Sequence, residues 1–242
     1  MPKKKDKDSK ADNQVTNYYT KLPKNLMPKY HNPNYKHHLI NLPFRCLIVG
    51  GSGSMKTNTL VDMIKRMDDT FGNIKFCVKN EQEPLYQFLK QKIPPSHLQI
   101  HEGFAKLPSL DDEEQFEKDL QHLIVFDDLC LEKDQRKAED AFIRGRKIAK
   151  GVSICYLTQS YFKCPKSIRI NCNYIILKKL SSNRDLNCIL SEYNLGVDKA
   201  HLLRIYKEAT QDPTSFLMID IGAKPEERFR QNFLDIVPLE EA

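Results

Sequence analysis

Short apolar runs along this chain alternate with stretches in which apolar residues recur every three or four positions. The run Phe44–Val49 is followed by two glycines, which is typical of a buried strand that ends in a turn. The next apolar residues fall at helical spacing, at positions i, i+3, i+4 and i+7: Leu60, Met63, Ile64 and Met67. The pattern therefore predicts a strand, a glycine-rich loop and an amphipathic helix in succession.

The same alternation continues along the rest of the chain. Further strands are predicted at Ile74–Val78, Leu98–His101, His122–Phe126, Val152–Leu157 and Tyr174–Leu177, and helices at Glu83–Lys92, Asp111–Leu120, Arg136–Lys150, Asn183–Leu190 and Val197–Glu208. The last two apolar runs, Phe216–Ile221 and Phe229–Phe233, predict a closing hairpin. Several strands are apolar throughout, as in a parallel sheet that is covered on both faces. We therefore predict an α/β fold, a three-layer sandwich around a mostly parallel sheet.

The length and composition are those of a globular protein. The chain has 242 residues, which corresponds to one domain at about 100–200 residues per domain. Its longest uncharged run, Gly151–Phe162, has twelve residues. A membrane-spanning helix needs about 20 apolar residues, so we expect no membrane span.

The net charge of +6 is concentrated at the amino terminus. Residues 1–40 contain nine Lys and three Asp, whereas the remaining residues contain 29 basic and 29 acidic groups. Residues 1–36 are also polar and aperiodic, so we predict a flexible basic arm at 1–36 and a folded domain at 37–242. A lysine-rich arm suits a polyphosphate partner, and a solvated leader explains the same composition.

The segment between the first predicted strand and helix matches a phosphate-binding loop. The pattern GxxxxGK(S/T) is met by Gly50, Lys56 and Thr57, while Met55 stands where the pattern has its second glycine. Glycines allow backbone N–H groups to point at phosphate oxygens, and the helix N-terminus adds its positive dipole end. We predict that ATP binds to the whole loop: Gly50, Gly51, Ser52, Gly53, Ser54, Met55, Lys56 and Thr57.

Two adjacent acids end the predicted strand His122–Phe126. An apolar strand followed by an acid is the Walker B pattern, in which the carboxylate lies beside the phosphate loop. We predict that Asp127 binds Mg²⁺ together with Thr57, and that Asp128 is the catalytic acid that orients and deprotonates the attacking water. Paired acids are also common in turns, so the interpretation depends on their position 71 residues after Lys56 in an alternating chain.

Polar residues near the next strand complete the predicted site. Gln159 follows the apolar run Val152–Leu157, and we predict that it senses the γ-phosphate or holds the water. A basic cluster at 144–147 precedes that strand, and Arg146 is our candidate for an arginine finger supplied to a neighbouring subunit. Arg144 and Arg169 are alternatives for the finger, and contact with DNA phosphates is another use of these residues.

Four segments together resemble a known family: GGSGSMKT (50–57), LIVFDD (123–128), RGRK (144–147) and ICYLTQSYF followed by PKSIRINCNYIIL (154–177). They are similar to the viral genome-packaging ATPases of the FtsK–HerA superfamily, found in poxvirus-like large DNA viruses, virophages and polinton elements. The resemblance covers about residues 43–190. It implies an additional-strand P-loop NTPase with ATP and Mg²⁺ at the residues named above.

The resemblance also implies a function and partners. These are a homo-oligomeric ring, a pentamer or hexamer, that pumps double-stranded DNA into a preformed capsid and contacts a capsid or portal-vertex protein. The expected location is intracellular, in the host cytoplasm or viral factory, or in association with the virion. Three other functions stay open at this point: a P-loop nucleotide kinase, a non-catalytic scaffold that binds DNA or capsid, and a helicase of another class.

Overall fold

The computed structural model describes residues 15–239, which form an α/β sandwich. Its nine described strands are β1 (Arg45–Val49), β2 (Asn73–Val78), β3 (Leu98–Glu102), β4 (His122–Asp127), β5 (Val152–Thr158), β6 (Tyr174–Leu177), β7 (Leu217–Asp220), β8 (Phe229–Gln231) and β9 (Asp235–Ile236). Their order in the sheet is β3-β2-β4-β5-β1-β6-β7-β8-β9. The first six strands of that order are mutually parallel, and the last three are antiparallel additions.

The position of β5 decides the architecture of the site. Strand β5 lies between β1 and β4 and pairs in parallel with both, so the strands that end in the glycine loop and in Asp127 are separated by one strand. This is the additional-strand arrangement that the family resemblance implied. Because all three strands run in the same direction, their carboxyl ends meet at one edge of the sheet.

Helices cover both faces of the sheet, which confirms the predicted three layers. They are α1 (Lys56–Arg66), α2 (Pro84–Lys92), α3 (Arg136–Arg144), α4 (Lys166–Arg169), α5 (Asn183–Glu192) and α6 (Lys199–Ala209). Alternate residues of β1 belong to different cores. Cys46 and Ile48 pack in the core with α1 and α2, while Leu47 and Val49 pack in the core with α3, α5 and α6. Such strands are buried on both faces, which is why their sequences are apolar throughout.

Two of the sequence predictions are wrong. The predicted helix Asp111–Leu120 is a series of turns. The Asp112 carboxylate accepts hydrogen bonds from the backbone N–H groups of Glu114 and Gln115, a local alternative to helical bonding. The predicted helix Arg136–Lys150 ends at Arg144 and continues only as a 3₁₀ turn to Lys147.

The segment that precedes the sheet lies partly against the domain. The backbone N–H of His31 donates to Oε1 of Gln121, whose Nε2 donates to the His31 carbonyl. Asn34 Nδ2 donates to the carbonyl of Asp68 at 2.8 Å. Residues 1–14, which contain five of the nine arm lysines, lie outside the described residues. The predicted boundary between arm and domain at residue 36 stays a prediction. Among residues 15–239, none of the helices combines the length and the apolar character needed to cross a bilayer.

Candidate functional site

The loop Gly50–Thr57 is held between the ends of two strands. The N–H of Gly50 donates to the carbonyl of Thr158 at the end of β5, and the N–H of Gly51 donates to the carbonyl of Lys179 just after β6. A Cβ at Gly50 would lie 2.4 Å from Ser54 Oγ and 2.6 Å from Lys178 Cβ. The first glycine is therefore required by close packing of the loop on itself and on the neighbouring strand.

Lys56 lies inside the curve of this loop. Its Nζ atom donates to the carbonyl oxygens of Gly50 and Gly51, both at 3.1 Å, and the residue is buried. Burial lowers the pKa of Lys56, and the carboxylates of Asp127 and Asp128 oppose that shift. The loop thus presents an ammonium group at its centre, next to the N-terminus of α1, which is an arrangement that suits an anion.

The backbone conformation of Met55 explains why the loop pattern has glycine at this position. Its backbone is left-handed, with φ 61° and ψ 33°, a conformation that glycine adopts without steric cost. Its side chain is 44% exposed, and Met55 is one of the residues that line the cavity at this loop. The departure from the pattern therefore places left-handed backbone strain on a residue that carries a side chain.

Asp127 ends β4 and receives two hydroxyl groups on one oxygen. Thr57 Oγ1 donates to Oδ2 at 2.7 Å, and the Tyr86 hydroxyl donates to the same atom at 2.6 Å. Burial raises the pKa of Asp127, while the two hydroxyl bonds and Lys56 act against that rise. A threonine hydroxyl beside a buried carboxylate is a set of hard oxygen ligands, which fits Mg²⁺.

Asp128 and Gln159 are in contact at the ends of β4 and β5. Gln159 Nε2 donates to Asp128 Oδ1 at 3.1 Å. Asp128 has a left-handed backbone, φ 58°, and its N–H still donates to the carbonyl of Leu157. The turn takes Asp128 out of the strand, so that the acid and the amide predicted from separate motifs form one polar pair.

These groups line one cavity of about 230 Å³ at the carboxyl edge of the sheet. Gly53 to Thr57, Asp127, Asp128 and Gln159 all face it, so the structure brings the three predicted motifs together. Sequence reasoning missed four further lining residues: Asn58, Lys79, Glu83 and Tyr86. Lys79 and Glu83 follow β2, the neighbour of β4, so polar residues after that strand were a signal that could have found them.

Arg146 does not join this cluster within the chain. It lies in the 3₁₀ turn that precedes β5 and is exposed. Burial lowers the pKa of Arg45 at the start of β1, and the nearby charge of Arg146 lowers it further. Arg146 is therefore at the amino end of the strands, opposite the cavity. Arg144 pairs with Asp111 and Asp140, and Arg169 pairs with Glu192. A finger role for any of them requires a second copy of the chain and stays a prediction.

The sequence of residues 32–221 matches the family model described as Poxvirus A32 protein. The chain belongs to this family. Its place in the A32 family confirms the predicted relation to viral genome-packaging ATPases of the FtsK–HerA type, and with it the prediction of an ATPase. No curated protein matches this A32 family member.

Solved structures share the fold of this A32 family member. The genome packaging NTPase B204 from Sulfolobus turreted icosahedral virus 2, in complex with ATPγS, superposes with a TM-score of 0.56 at 13% identity, covering 83% of this chain and 100% of its own. The DNA-packaging ATPase B204 from Sulfolobus turreted icosahedral virus gives a TM-score of 0.54 at 13% identity over the same shares. The cytoplasmic domain of the type VII secretion ATPase EccC from Thermomonospora curvata gives 0.52 at 14% identity, over 81% of this chain and 26% of its own. At these identities the likeness shows a common fold.

Proposed function

We propose that this A32 family member is a ring-forming motor that uses ATP hydrolysis to move double-stranded viral DNA into a preformed capsid. The observation that carries the proposal is the meeting of Lys56, Asp127 and the Asp128–Gln159 pair in one cavity, with β5 inserted between the two strands that supply the first groups. One B204 protein of the same fold is described as a genome packaging NTPase in complex with ATPγS, and the other is described as a DNA-packaging ATPase. The infected cell is the expected place of action.

Each of these residues has a different role toward the nucleotide. Lys56 and the first turn of α1 bind the phosphates, since both place positive charge inside the loop. Thr57 and Asp127 would hold Mg²⁺, which would supply positive charge to offset the charge of the phosphates. Asp128 accepts the proton of the attacking water, and Gln159 fixes the orientation of that carboxylate through the 3.1 Å hydrogen bond.

In the proposed ring, a neighbouring subunit supplies an arginine to the cavity of each copy. The cavity is lined by two basic residues, Lys56 and Lys79, and by no arginine of the described residues. Arginine fingers contribute about 10³–10⁵ in rate in P-loop enzymes. We therefore expect a guanidinium from an adjacent subunit, with Arg146 as the candidate, and a homo-oligomer of five or six copies.

Stimulation of ATP hydrolysis by DNA tests the proposal. We expect an oligomeric preparation to hydrolyse ATP faster with double-stranded DNA, and Lys56→Ala to abolish both basal and stimulated turnover without unfolding. A rate of ATP turnover that DNA does not change, but that a small phosphate acceptor increases, would identify a kinase instead. A folded oligomer that binds DNA without any ATP turnover would identify a scaffold.

The amino-terminal arm is proposed to contact DNA or capsid. Deleting residues 1–29 removes eight Lys and three Asp but keeps the His31 contacts with the domain. We expect weaker DNA binding, a salt slope shallower by about 0.9 for each lost phosphate contact, and unchanged basal turnover. An unchanged slope together with unchanged capsid binding would mean that the arm is only a solvated leader.

A further inference from the structure

The segment that joins β5 to α4, residues 159–165, begins with Gln159 and is called here the β5–α4 turn. The residue before Gln159 is fixed, because the Thr158 carbonyl accepts the N–H of Gly50 at 3.2 Å. Gln159 itself is exposed and reaches the phosphate cavity, where its amide donates to Asp128 Oδ1 at 3.1 Å. The direction of this side chain therefore also depends on what holds the residues that follow it.

A carboxylate from another element holds those residues. Asp185 lies in the first turn of α5, and its Oδ1 accepts from the backbone N–H of Phe162 at 3.1 Å and from Ser160 Oγ at 3.4 Å. Asp185 is only 4% exposed. Burying a carboxylate is costly unless its oxygens accept hydrogen bonds, so Asp185 and its two donors hold each other in place.

The other side chains of the turn do not replace this attachment. The ring of Phe162 is 53% exposed and lies 3.9 Å from the guanidinium of Arg184, so it is not anchored in the core. Tyr161 is buried, but its hydroxyl donates to Glu192 at the opposite end of α5. On the side of the turn that follows Gln159, Asp185 is therefore the closest attachment to another element.

The connection from β6 to Asp185 also contacts the phosphate-binding loop. The N–H of Gly51 donates to the carbonyl of Lys179 at 3.0 Å, and a Cβ at Gly51 would lie 2.5 Å from Ser181 Oγ. Ser182 Oγ accepts from the N–H of Asp185 at 3.2 Å and caps α5. One short segment thus touches the phosphate loop at its start and the β5–α4 turn at its end, so it helps to set the distance between the loop and Gln159.

We propose that Asp185 is a positioning residue for ATP hydrolysis, which holds Ser160 and Phe162 so that Gln159 stays in contact with Asp128. The inference rests on the proposed function and deepens it, since it adds a residue that acts on the general base through Gln159 and does not line the phosphate cavity. A general base must lie within hydrogen-bond reach of the proton that it accepts, and a small displacement of a catalytic group lowers the rate strongly.

Turnover and nucleotide affinity of Asp185→Ala separate positioning from a merely structural role. The substitution releases the turn but leaves Lys56 and Asp127 in place. We expect kcat to fall by about tenfold or more, while the Kd for Mg-ADP stays within about twofold of the wild type. Asp185→Asn keeps an oxygen that accepts from Phe162, so we expect it to restore kcat to within about threefold of the wild type. A loss of ADP affinity as large as the loss of kcat would overturn the proposal.

The double variant with Gln159→Ala tests whether Asp185 acts through Gln159. If it does, releasing the turn has little left to disturb once the amide is gone. We expect Asp185→Ala to change the single-turnover rate of Gln159→Ala by less than about twofold. A loss by the same factor in both backgrounds would show that the two residues act independently, and it would overturn the proposal.

Ser160→Ala keeps the proposal testable if Asp185→Ala does not fold. It removes one of the two hydrogen bonds to Asp185 from a half-buried residue. We expect kcat to fall by about two- to fivefold in the wild-type background and to stay unchanged in the Gln159→Ala background. An equal loss in both backgrounds would contradict a route through Gln159.

Asp198→Ala is the matched control. The Asp198 carboxylate also accepts from backbone N–H groups at the start of a helix, those of Ala200 and His201 in α6, and we expect its loss to leave kcat unchanged. If the wild type hydrolyses ATP and Asp185→Ala matches its kcat, this inference alone is overturned. If an oligomeric wild type does not hydrolyse ATP at all, the proposed function fails and this inference fails with it.

Discussion

The hydroxyl of Tyr86 and the hydroxyl of Thr57 donate to the same oxygen, Oδ2 of Asp127, at 2.6 and 2.7 Å. Tyr86 belongs to α2 and is buried, with its ring edge-on to Phe76 of β2. The helix after β2 therefore fixes the carboxylate at the end of β4. In the proposed function, Tyr86 is a positioning residue for the ligand that binds Mg²⁺.

Tyr86→Phe is expected to raise the Mg²⁺ concentration for half-maximal ATP hydrolysis by about tenfold. Loss of a partner that orients a metal ligand typically costs about 10–100-fold in metal affinity. The ring stays in place, so the melting temperature is expected to change little. Tyr156→Phe is the matched control, because its hydroxyl bonds to Gln135 instead. Equal Mg²⁺ titrations for both variants would show that Tyr86 has only a packing role.

Asp128→Asn is expected to retain ATP binding and to lose at least about 10²-fold in turnover. The amide keeps an oxygen that accepts from Gln159 but cannot accept a proton, and general-base catalysis is worth about 10²–10⁴. Nucleotide titration and single-turnover hydrolysis measure the two effects separately.

Glu83→Gln is the comparison for that variant. Glu83 lines the same cavity, and burial and the carboxylates of Asp127 and Asp128 raise its pKa. We expect a smaller loss of turnover than for Asp128→Asn. If Glu83→Gln lost more turnover than Asp128→Asn, Glu83 would be the general base.

Met55→Gly is expected to bind nucleotide at least as tightly as the wild type. Glycine removes the left-handed strain of about 1–2 kcal/mol, and the exposed Met55 side chain contributes little packing. The greater freedom of glycine in the unfolded chain offsets about 0.5–1 kcal/mol of this gain, so the free energy of unfolding is expected to rise by about 0–1.5 kcal/mol. Met63→Ala is the contrast, because Met63 is buried in α1 and its truncation is expected to cost about 2–5 kcal/mol. A severe loss of affinity in Met55→Gly would show that the methionine side chain is a specific part of the loop.

His38→Asn is expected to reduce the acid sensitivity of the fold. Burial lowers the pKa of His38 from 6.5 to about 4, while its Nδ1 accepts from the N–H of Ile40. Between these values the unfolded chain binds a proton that the folded chain does not. Stability is therefore full above pH 6.5 and falls as the pH drops toward 4, by up to about 3 kcal/mol.

Urea denaturation at several pH values measures this effect. Asparagine keeps a hydrogen-bond acceptor near Ile40 but does not titrate, so the variant is expected to lose less stability between pH 6.5 and 4 than the wild type. The exposed His31→Asn is the control and should follow the wild type. Parallel curves for His38→Asn and the wild type would contradict the assignment.

Local pattern was sufficient for most strands and for the phosphate loop. The sequence segments that form β1, β4 and β5 are apolar because both faces of the sheet are covered. The composition of each segment alone is therefore enough to indicate a buried strand. Gly50, Lys56 and Thr57 were recognisable because one short segment supplies the whole loop. Asp127 and Gln159 could be placed at the same edge, since parallel strands bring their carboxyl ends together.

Tertiary structure decided the contacts between segments that are distant in sequence. Tyr86 bonds to Asp127 only because β2 pairs with β4 and brings α2 over the strand end. The aromatic pair Phe216 and Phe233 lies beside α1 only because β6 pairs with β1 and β7 pairs with β6. Arg146 lies opposite the cavity because the turn that holds it precedes β5. Periodicity reports which side of an element is buried, but not which element covers it, and the pairing of strands settles that choice.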